Sequence, residues 1–171
     1  MPIRKPREIL FLRSPALFTA LILFLSILSS HAYDAQVIKV VDGDTIHVLK
    51  KTGDLAPIKI RVFGIDCPER REPFYRKAKQ FTADLVFRKT AKIEYRDTDR
   101  YGRTVAVVWI DGKDLGAELL KAGLAWWYRK YAPDRKDYGK LQRQARNSGV
   151  GIWSLPESVR GESFKRWRKR R

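Results

Sequence analysis

Two aspartates separated by a single glycine lie inside a run of strand-forming residues, VVDGDTIHV at residues 40–48. Asp42-Gly43 between alternating apolar residues is typical of a two-residue hairpin turn. Asp44 adds a second carboxylate that such a turn does not need, and Thr45 follows it with another oxygen. The spacing of the oxygen-bearing residues does not match an EF-hand calcium loop. The segment therefore predicts either a plain hairpin or one half of a metal site.

A second charged segment, IRVFGIDCPER at residues 60–70, contains Arg61, Asp66 and Glu69. Arg61 and Asp66 are five positions apart, so on one regular strand their side chains would face opposite sides. We expect either a bulge at Gly64 or a strand that ends before Asp66. The simpler interpretation is a solvated loop with an incidental arginine.

Arg103 follows a polar turn in a third segment, DTDRYGRTV at residues 97–105. Alone it would be an ordinary surface arginine. Together the three segments indicate a reaction, because paired carboxylates suit a hard cation bound through oxygen and two arginines suit a phosphate. A further carboxylate such as Glu69 could orient or deprotonate water. These are the groups that hydrolysis of a phosphodiester requires.

The composition excludes several other kinds of chemistry. The chain of 171 residues has two histidines, His31 and His47, and one cysteine, Cys67. Zinc sites with several histidines, CxxC redox motifs and an internal disulfide are therefore excluded. The formal net charge of +17 favours a polyanion as partner, either nucleic acid or an anionic surface.

Residues 1–32 have the layout of a secretory signal peptide. Four basic residues precede an uncharged, mostly apolar run at residues 14–30, and Ser30-His31-Ala32 offers small residues for cleavage after Ala32. The run is shorter than the roughly 20 residues of a spanning helix, so a retained anchor is the less favoured alternative. We therefore expect export to the periplasm or the medium. The remaining chain keeps 32 basic and 18 acidic residues, a formal net charge of +14.

We expect one domain at residues 33–155 and a flexible tail at residues 156–171, because residues 160–171 hold seven basic residues and one acidic residue. Alternating apolar residues predict strands at residues 36–49, 58–65, 92–95 and 103–110, and apolar stripes predict helices at residues 73–85, 115–123 and 134–147. The strands come first and the helices are inserted and appended. This order predicts an α+β, mainly β fold, a small antiparallel barrel with helices on one side.

Five short motifs follow one another between about residues 36 and 153: VVDGDTIHV, IRVFGIDCPE, DRYGRTVA, LGAELLKAGLAW and GIWS. In this order they resemble the motifs of the thermonuclease, or staphylococcal nuclease-like, family. The resemblance implies a five-stranded OB-fold barrel with about three helices. It also implies a calcium-dependent, sugar-unspecific nuclease that hydrolyses DNA and RNA to 3′-phosphate ends. We expect a monomer, without a protein partner, that acts on single-stranded or locally opened nucleic acid.

The resemblance also implies roles for single residues. The calcium ligands would be the carboxylates of Asp44 and Asp66 and the backbone carbonyl of Thr45. Three further side chains would act on the scissile bond: Arg61 and Arg103 on the phosphate, and Glu69 as general base. Cys67 stands where the founding enzyme has a threonine, and the loop after Glu69 is shorter than in that enzyme.

The founding enzyme flanks its bound nucleotide with two tyrosines. Tyr131 matches one of them, and Arg129 occupies the place of the other. Base stacking on that side would then come from the guanidinium of Arg129 or from the neighbouring Tyr128.

Two other function classes remain open at this point. An OB-fold module can bind nucleic acid without cleaving it, and a basic exported protein can bind anionic lipid. A binding module has little reason to retain both carboxylates, both arginines and the glutamate. Their joint presence favours the enzyme.

Overall fold

The computed structural model describes residues 32–51, 53, 56–161, 164, 165 and 169. The predicted signal peptide lies outside these residues, except for Ala32, which is the first residue of a strand. Among the described residues, the helices are all too short or too polar to cross a bilayer.

The described chain forms eight strands and three α-helices, and each of the four predicted strand segments and three predicted helices has a counterpart among them. The strands are β1 (Ala32–Asp42), β2 (Thr45–Lys50), β3 (Ile58–Val62), β4 (Ile65–Asp66), β5 (Thr90–Thr98), β6 (Thr104–Ile110), β7 (Lys113–Asp114) and β8 (Trp126–Trp127). The helices are α1 (Tyr75–Val86), α2 (Leu115–Lys121) and α3 (Lys136–Asn147), followed by 3-10 turns at Gly151–Ser154 and Glu157–Val159.

Five of the strands close into a barrel. Their order is β3-β2-β1-β5-β6, with antiparallel neighbours, and a parallel pairing of β3 with β6 completes the circle. The predicted OB-fold barrel with three helices is therefore confirmed. The barrel is mixed, however, and the prediction of a purely antiparallel one is corrected, because strands that are distant in sequence give no local signal of their direction.

Alternation along the strands places β-branched side chains inside the barrel, where Val37, Ile46, Val48, Ile60 and Ile93 have no exposed surface. Helix α1 covers one end of this core. Its predicted apolar stripe is confirmed, since Ala78 is buried and Phe74, Phe81 and Leu85 pack against the core. Asp114 caps α2, with its carboxylate accepting hydrogen bonds from Gly116 N (2.8 Å) and Ala117 N (3.3 Å).

A second apolar cluster joins Trp126 of β8 to the C-terminal segment. Trp126, Trp153 and Phe164 are all buried, and the ring of Phe164 lies 6.1 Å from that of Trp126 and 6.3 Å from that of Trp153. The guanidinium of Arg160 lies over the rings of Trp153 and Phe164. The packed chain thus extends past the boundary that the sequence places at residue 155. The basic tail includes Phe164, whose ring packs against two indole rings.

Candidate active site

The hairpin between β1 and β2 carries the two aspartates of the first motif. Asp42 pairs with Thr45, so the two-residue turn is Gly43-Asp44 and not the predicted Asp42-Gly43. A side chain at Gly43 would lie 2.8 Å from the sulfur of Cys67 and 2.9 Å from Cβ of Ala78. Glycine is therefore required here by close packing. Asp44 consequently sits at the tip of a turn that is pressed against its neighbours.

Three hydrogen bonds fix this turn from outside the hairpin. Tyr75 OH donates to Asp42 Oδ1 (2.9 Å), Thr82 Oγ1 donates to the carbonyl of Gly43 (2.6 Å), and the backbone N–H of Cys67 donates to Asp44 Oδ2 (2.8 Å). Neither Tyr75 nor Thr82 is among the site residues predicted from the sequence. Their spacing with Ala78, at i, i+3 and i+7, places all three on one helical face and could have identified them.

Arg61 connects the two carboxylates that the sequence predicts as metal ligands. Its guanidinium forms ion pairs with both Asp44 and Asp66. Arg61 Nη2 lies 2.7 Å from Asp66 Oδ1 and also donates a hydrogen bond to the carbonyl of Ile65 (3.1 Å). Gly64, with a φ of 71°, reverses the chain between β3 and β4 and brings Asp66 back toward Arg61. Of the two arrangements expected for Arg61 and Asp66, the strand that ends before Asp66 is therefore confirmed, because β3 ends at Val62. Asp44, Asp66 and Arg61 therefore form one compact charged group.

The electrostatics of this group keep Arg61 charged. Burial of the guanidinium would lower its pKa, but the carboxylates of Asp44 and Asp66 outweigh burial and raise it. The Arg61 Nη1 atom is buried and touches Asp44 without an aligned hydrogen bond. Cys67, directly behind the pair, is also buried, and burial raises the pKa of its thiol well above the ordinary value. The thiol is therefore a protonated packing group.

Thr45 contacts the site through its side chain. Its hydroxyl donates to Asp44 Oδ1 (3.1 Å). The carbonyl of Asp44 accepts from Val62 N on β3 (2.8 Å), and successive carbonyls of a strand point to opposite neighbours. The carbonyl of Thr45 therefore points toward β1, away from β3 and the turn that leads to Asp66. The structure brings together the two predicted carboxylate ligands and places Thr45 beside one of them.

Glu69 follows Asp66 on the rim of the site. It is exposed and belongs to a tight turn, in which its backbone N–H donates to Glu72 Oε2 (2.6 Å) and its carbonyl accepts from Glu72 N (2.9 Å). The predicted general base thus stands at the solvent edge, three residues beyond the carboxylate that pairs with Arg61.

Arg103 immediately precedes β6, the strand that pairs in parallel with β3. Its Nε donates to Asp99 Oδ2 (2.7 Å) and its backbone N–H donates to Asp99 Oδ1 (3.0 Å). The same oxygen accepts from Tyr101 N (2.9 Å). Burial would raise the pKa of Asp99, but the hydrogen bonds from Arg103 and Tyr101 lower it below the ordinary value. Asp99 is not among the site residues predicted from the sequence, although an aspartate at the start of a polar turn commonly accepts hydrogen bonds from the backbone of that turn.

The predicted substrate-binding residues lie beside the turn between β3 and β4. Tyr128 N donates to the carbonyl of Gly64 (2.8 Å), and the ring of Tyr128 meets that of Tyr131 edge-on at 4.8 Å. Tyr131 is 59% exposed and Arg129 is also exposed. An aromatic pair with one open face therefore stands next to the segment that carries Arg61 and Asp66.

The donor set fits a hard cation. Asp44 and Asp66 already converge on one positive group, the guanidinium of Arg61, and they present only oxygen. No cluster of three or more histidine, cysteine, aspartate or glutamate side chains suited to a metal occurs in the part of the chain that the structure describes. A cation held here would thus have two carboxylates, with its other ligands drawn from water, backbone or substrate.

Comparison with known proteins decides the family. The sequence model described as staphylococcal nuclease homologue matches residues 59–155, which include Arg61, Asp66, Glu69 and Arg103. This chain belongs to the staphylococcal nuclease family.

Similar proteins of this family occur in several bacteria. The chain is 37% identical over 145 residues to Protein ParB of Escherichia coli, covering 78% of each chain. It is 33% identical over 156 residues to an uncharacterized endonuclease of Haemophilus influenzae, covering 90% of this chain and 86% of the relative. It is 32% identical over 164 residues to the micrococcal nuclease of Shigella flexneri, covering 90% and 91%. The family predicted from the five motifs is confirmed.

Proposed function

We propose that this chain is a calcium-dependent nuclease that hydrolyses phosphodiester bonds of DNA and RNA and leaves 3′-phosphate ends. The observation that supports this most is the convergence of Asp44 and Asp66 on the guanidinium of Arg61 at one end of the barrel. A purely structural ion pair needs one carboxylate. Two carboxylates on one arginine, within a nuclease family, suit a site that holds both a cation and a phosphate.

Each residue then has a distinct task. Asp44 and Asp66 would hold calcium, which when bound polarises a phosphoryl oxygen. The hydroxyl of Thr45 and the backbone N–H of Cys67 orient the carboxylate of Asp44. Arg61 and Arg103 donate N–H groups to the phosphate oxygens on which negative charge grows. Glu69, at the solvent edge, accepts the proton of the attacking water.

The substrate would be a strand with accessible bases. The exposed ring of Tyr131, supported by Tyr128, offers a stacking surface, and bases reach such a surface only when they are unpaired. Arg129 adds a cation beside it. Single-stranded or locally opened DNA and RNA are therefore the expected substrates of an exported monomer that is secreted or periplasmic.

The test is a cleavage assay on the chain without residues 1–32. Single-stranded DNA and RNA are incubated with calcium or with a chelator, and fragment length and phosphatase-sensitive 3′ ends are measured. We expect fragments with 3′-phosphates in calcium only, and background cleavage by Asp44→Asn and Asp66→Asn. Asp34→Asn, a change of the same charge at an exposed strand position, should cleave normally. Binding of the strand without cleavage in calcium would instead identify a binding module.

A further inference from the structure

A cleft of about 600 Å³ opens beside the carboxylate turn, at the start of α1. Four basic residues line it, Arg70, Arg71, Arg76 and Lys77, together with one acidic residue, Glu72, and with Pro73, Phe74, Tyr75 and Leu155. Ligand clefts generally have volumes of about 300 to 1,000 Å³. None of the residues assigned above to catalysis lines it. The cleft is therefore large enough for a separate group of the substrate.

The four basic side chains of the cleft are open to solvent. All four are exposed, and none forms an ion pair with another residue that the structure describes. Arg61, Arg103 and Arg135, by contrast, each pair with a carboxylate. The Lys77 ammonium lies 4.9 Å from the centre of the Phe74 ring, and Glu72 is the one acidic residue among the described residues that line the cleft. Four cations against one carboxylate leave the cleft with a net positive charge, and an anionic ligand relieves their mutual repulsion.

Two of the four residues other than glycine that have a positive φ in the described part of the chain lie in this segment. Arg71 and Phe74 have φ values of 74° and 66°, in the left-handed region that side-chain-bearing residues rarely adopt. Such conformations persist where the surrounding structure enforces them, and they concentrate at ligand-binding segments. The turn also directs the carboxylate of Glu72 onto the backbone N–H of Glu69.

The cleft borders the proposed catalytic site. Tyr75 lines the cleft, and its phenolic O–H donates a hydrogen bond to Asp42 Oδ1 in the carboxylate turn. Arg70, which also lines the cleft, directly follows Glu69 in the sequence. The C-terminal segment borders the other side, because Leu155 lines the cleft and a side chain at Gly161 would lie 3.0 Å from Glu72. A strand that leaves the scissile phosphate at this edge would pass directly over the four cations.

We infer that this cleft binds the phosphate backbone of the nucleic-acid strand on one side of the scissile bond, an inference that rests on the proposed function. Planar guanidinium groups match phosphate oxygens in pairs, and the rings of Phe74 and Tyr75 give sugars or bases an apolar surface. A lipid bilayer is a broad, flat anionic surface, and it contacts protruding charges better than charges inside a cleft.

Only a strand that extends beyond the scissile bond can reach the cleft. Long strands should therefore bind more tightly than short ones.

The experiment compares two variants of equal charge change on exposed helical positions. Arg76→Gln with Lys77→Gln alters the cleft on α1, and Lys140→Gln with Arg143→Gln alters α3. Binding of a labelled single-stranded 12-mer DNA is measured in chelator, and cleavage of a tetranucleotide is measured in calcium. The cleft variant should bind the 12-mer roughly tenfold more weakly at 0.1 M salt, with a salt slope smaller by about 1.4. Tetranucleotide cleavage, 12-mer binding by the α3 variant, and the melting temperatures should be unchanged.

Each other outcome has a defined meaning. Equal weakening by both variants, or no weakening by either, would overturn the inference while wild-type cleavage upholds the proposed function. Loss of binding to vesicles of anionic phospholipid by the cleft variant, with 12-mer binding intact, would overturn it in favour of a membrane site. A wild-type chain that neither binds the 12-mer nor cleaves would remove the proposed function and this inference together.

Discussion

Arg61 lies on β3 and Arg103 immediately precedes β6, the strand parallel to β3, but different parts of the chain hold their side chains. Arg61 is held by Asp44 and Asp66, which arrive from two separate turns. Arg103 is held by Asp99, four residues earlier in its own turn. The position of Arg61 therefore depends on the closed barrel and on α1, whereas that of Arg103 depends on one local loop. Two arginines with the same proposed task should respond differently to mutation.

The largest difference is expected on removal of each arginine. Arg61→Ala leaves two carboxylates facing each other without their cation, and breaking a buried pair costs about 3 kcal/mol of unfolding free energy. Arg103→Ala should cost about 0.5 kcal/mol, because its pair is more exposed. Both variants should cleave DNA about 100- to 1,000-fold more slowly. Urea unfolding and cleavage rates check this, and equal losses of stability in the two variants would break the comparison.

A smaller loss of stability is expected on mutation of Thr82, whose side chain bonds to the hairpin backbone and not to either arginine. Thr82→Val keeps the shape of the side chain but removes the buried hydrogen bond to the carbonyl of Gly43. The loss should be about 1.5 kcal/mol, with slower cleavage because the Asp44 turn is less well fixed. Thr90→Val, at an exposed strand position, is the control. If cleavage by Thr82→Val were normal, α1 would not be needed to position the turn.

The local arrangement at Arg103 predicts an effect on activity with little effect on stability. Asp99→Asn removes the negative partner of Arg103, so the guanidinium is less well oriented and cleavage should fall about tenfold. Unfolding free energy should change by less than about 1 kcal/mol. Asp97→Asn, at an exposed position in the preceding strand, should cleave at the wild-type rate. A cleavage rate unaffected by Asp99→Asn would show that Arg103 does not need this anchor.

The smallest expected effect is the pH dependence of the stability that Asp99 contributes. The pKa of Asp99 is lowered in the folded chain, so its carboxylate contributes stability that is fully present above its ordinary pKa of about 4. That contribution is lost as the pH falls through the folded pKa. The stability difference between wild type and Asp99→Asn should be constant from about pH 7 to pH 5 and shrink below about pH 4. Chemical unfolding across this range measures it, and a difference that grew on acidification would contradict the sign.

The sequence predicts the parts of the site that have local signals. The apolar stripe of α1 and the end of the second strand before Asp66 each depend on residues within one or two turns of the chain, and the structure contains both. Asp44 and Asp66 could also be identified, because a carboxylate among strand residues destabilises the fold unless it is paired or binds a ligand.

What the sequence alone does not predict depends on distant contacts. The parallel pairing of β3 with β6, the hydrogen bond from Thr82 to the hairpin and the direction of the Thr45 carbonyl follow from barrel closure and register. Gly43 gave a misleading signal. Glycine in a hairpin usually serves backbone conformation, whereas here it makes room for Cys67 and Ala78.

The packing of Phe164 against Trp126 and Trp153 has a practical consequence for protein production. A recombinant chain shortened to end at residue 155, where the family match stops, would expose two indole rings to solvent. Such a chain should self-associate on concentration and melt at a lower temperature, although every proposed catalytic residue would still be present. Purification tags are therefore better placed before the barrel, and crystallisation trials should retain the full C-terminal segment.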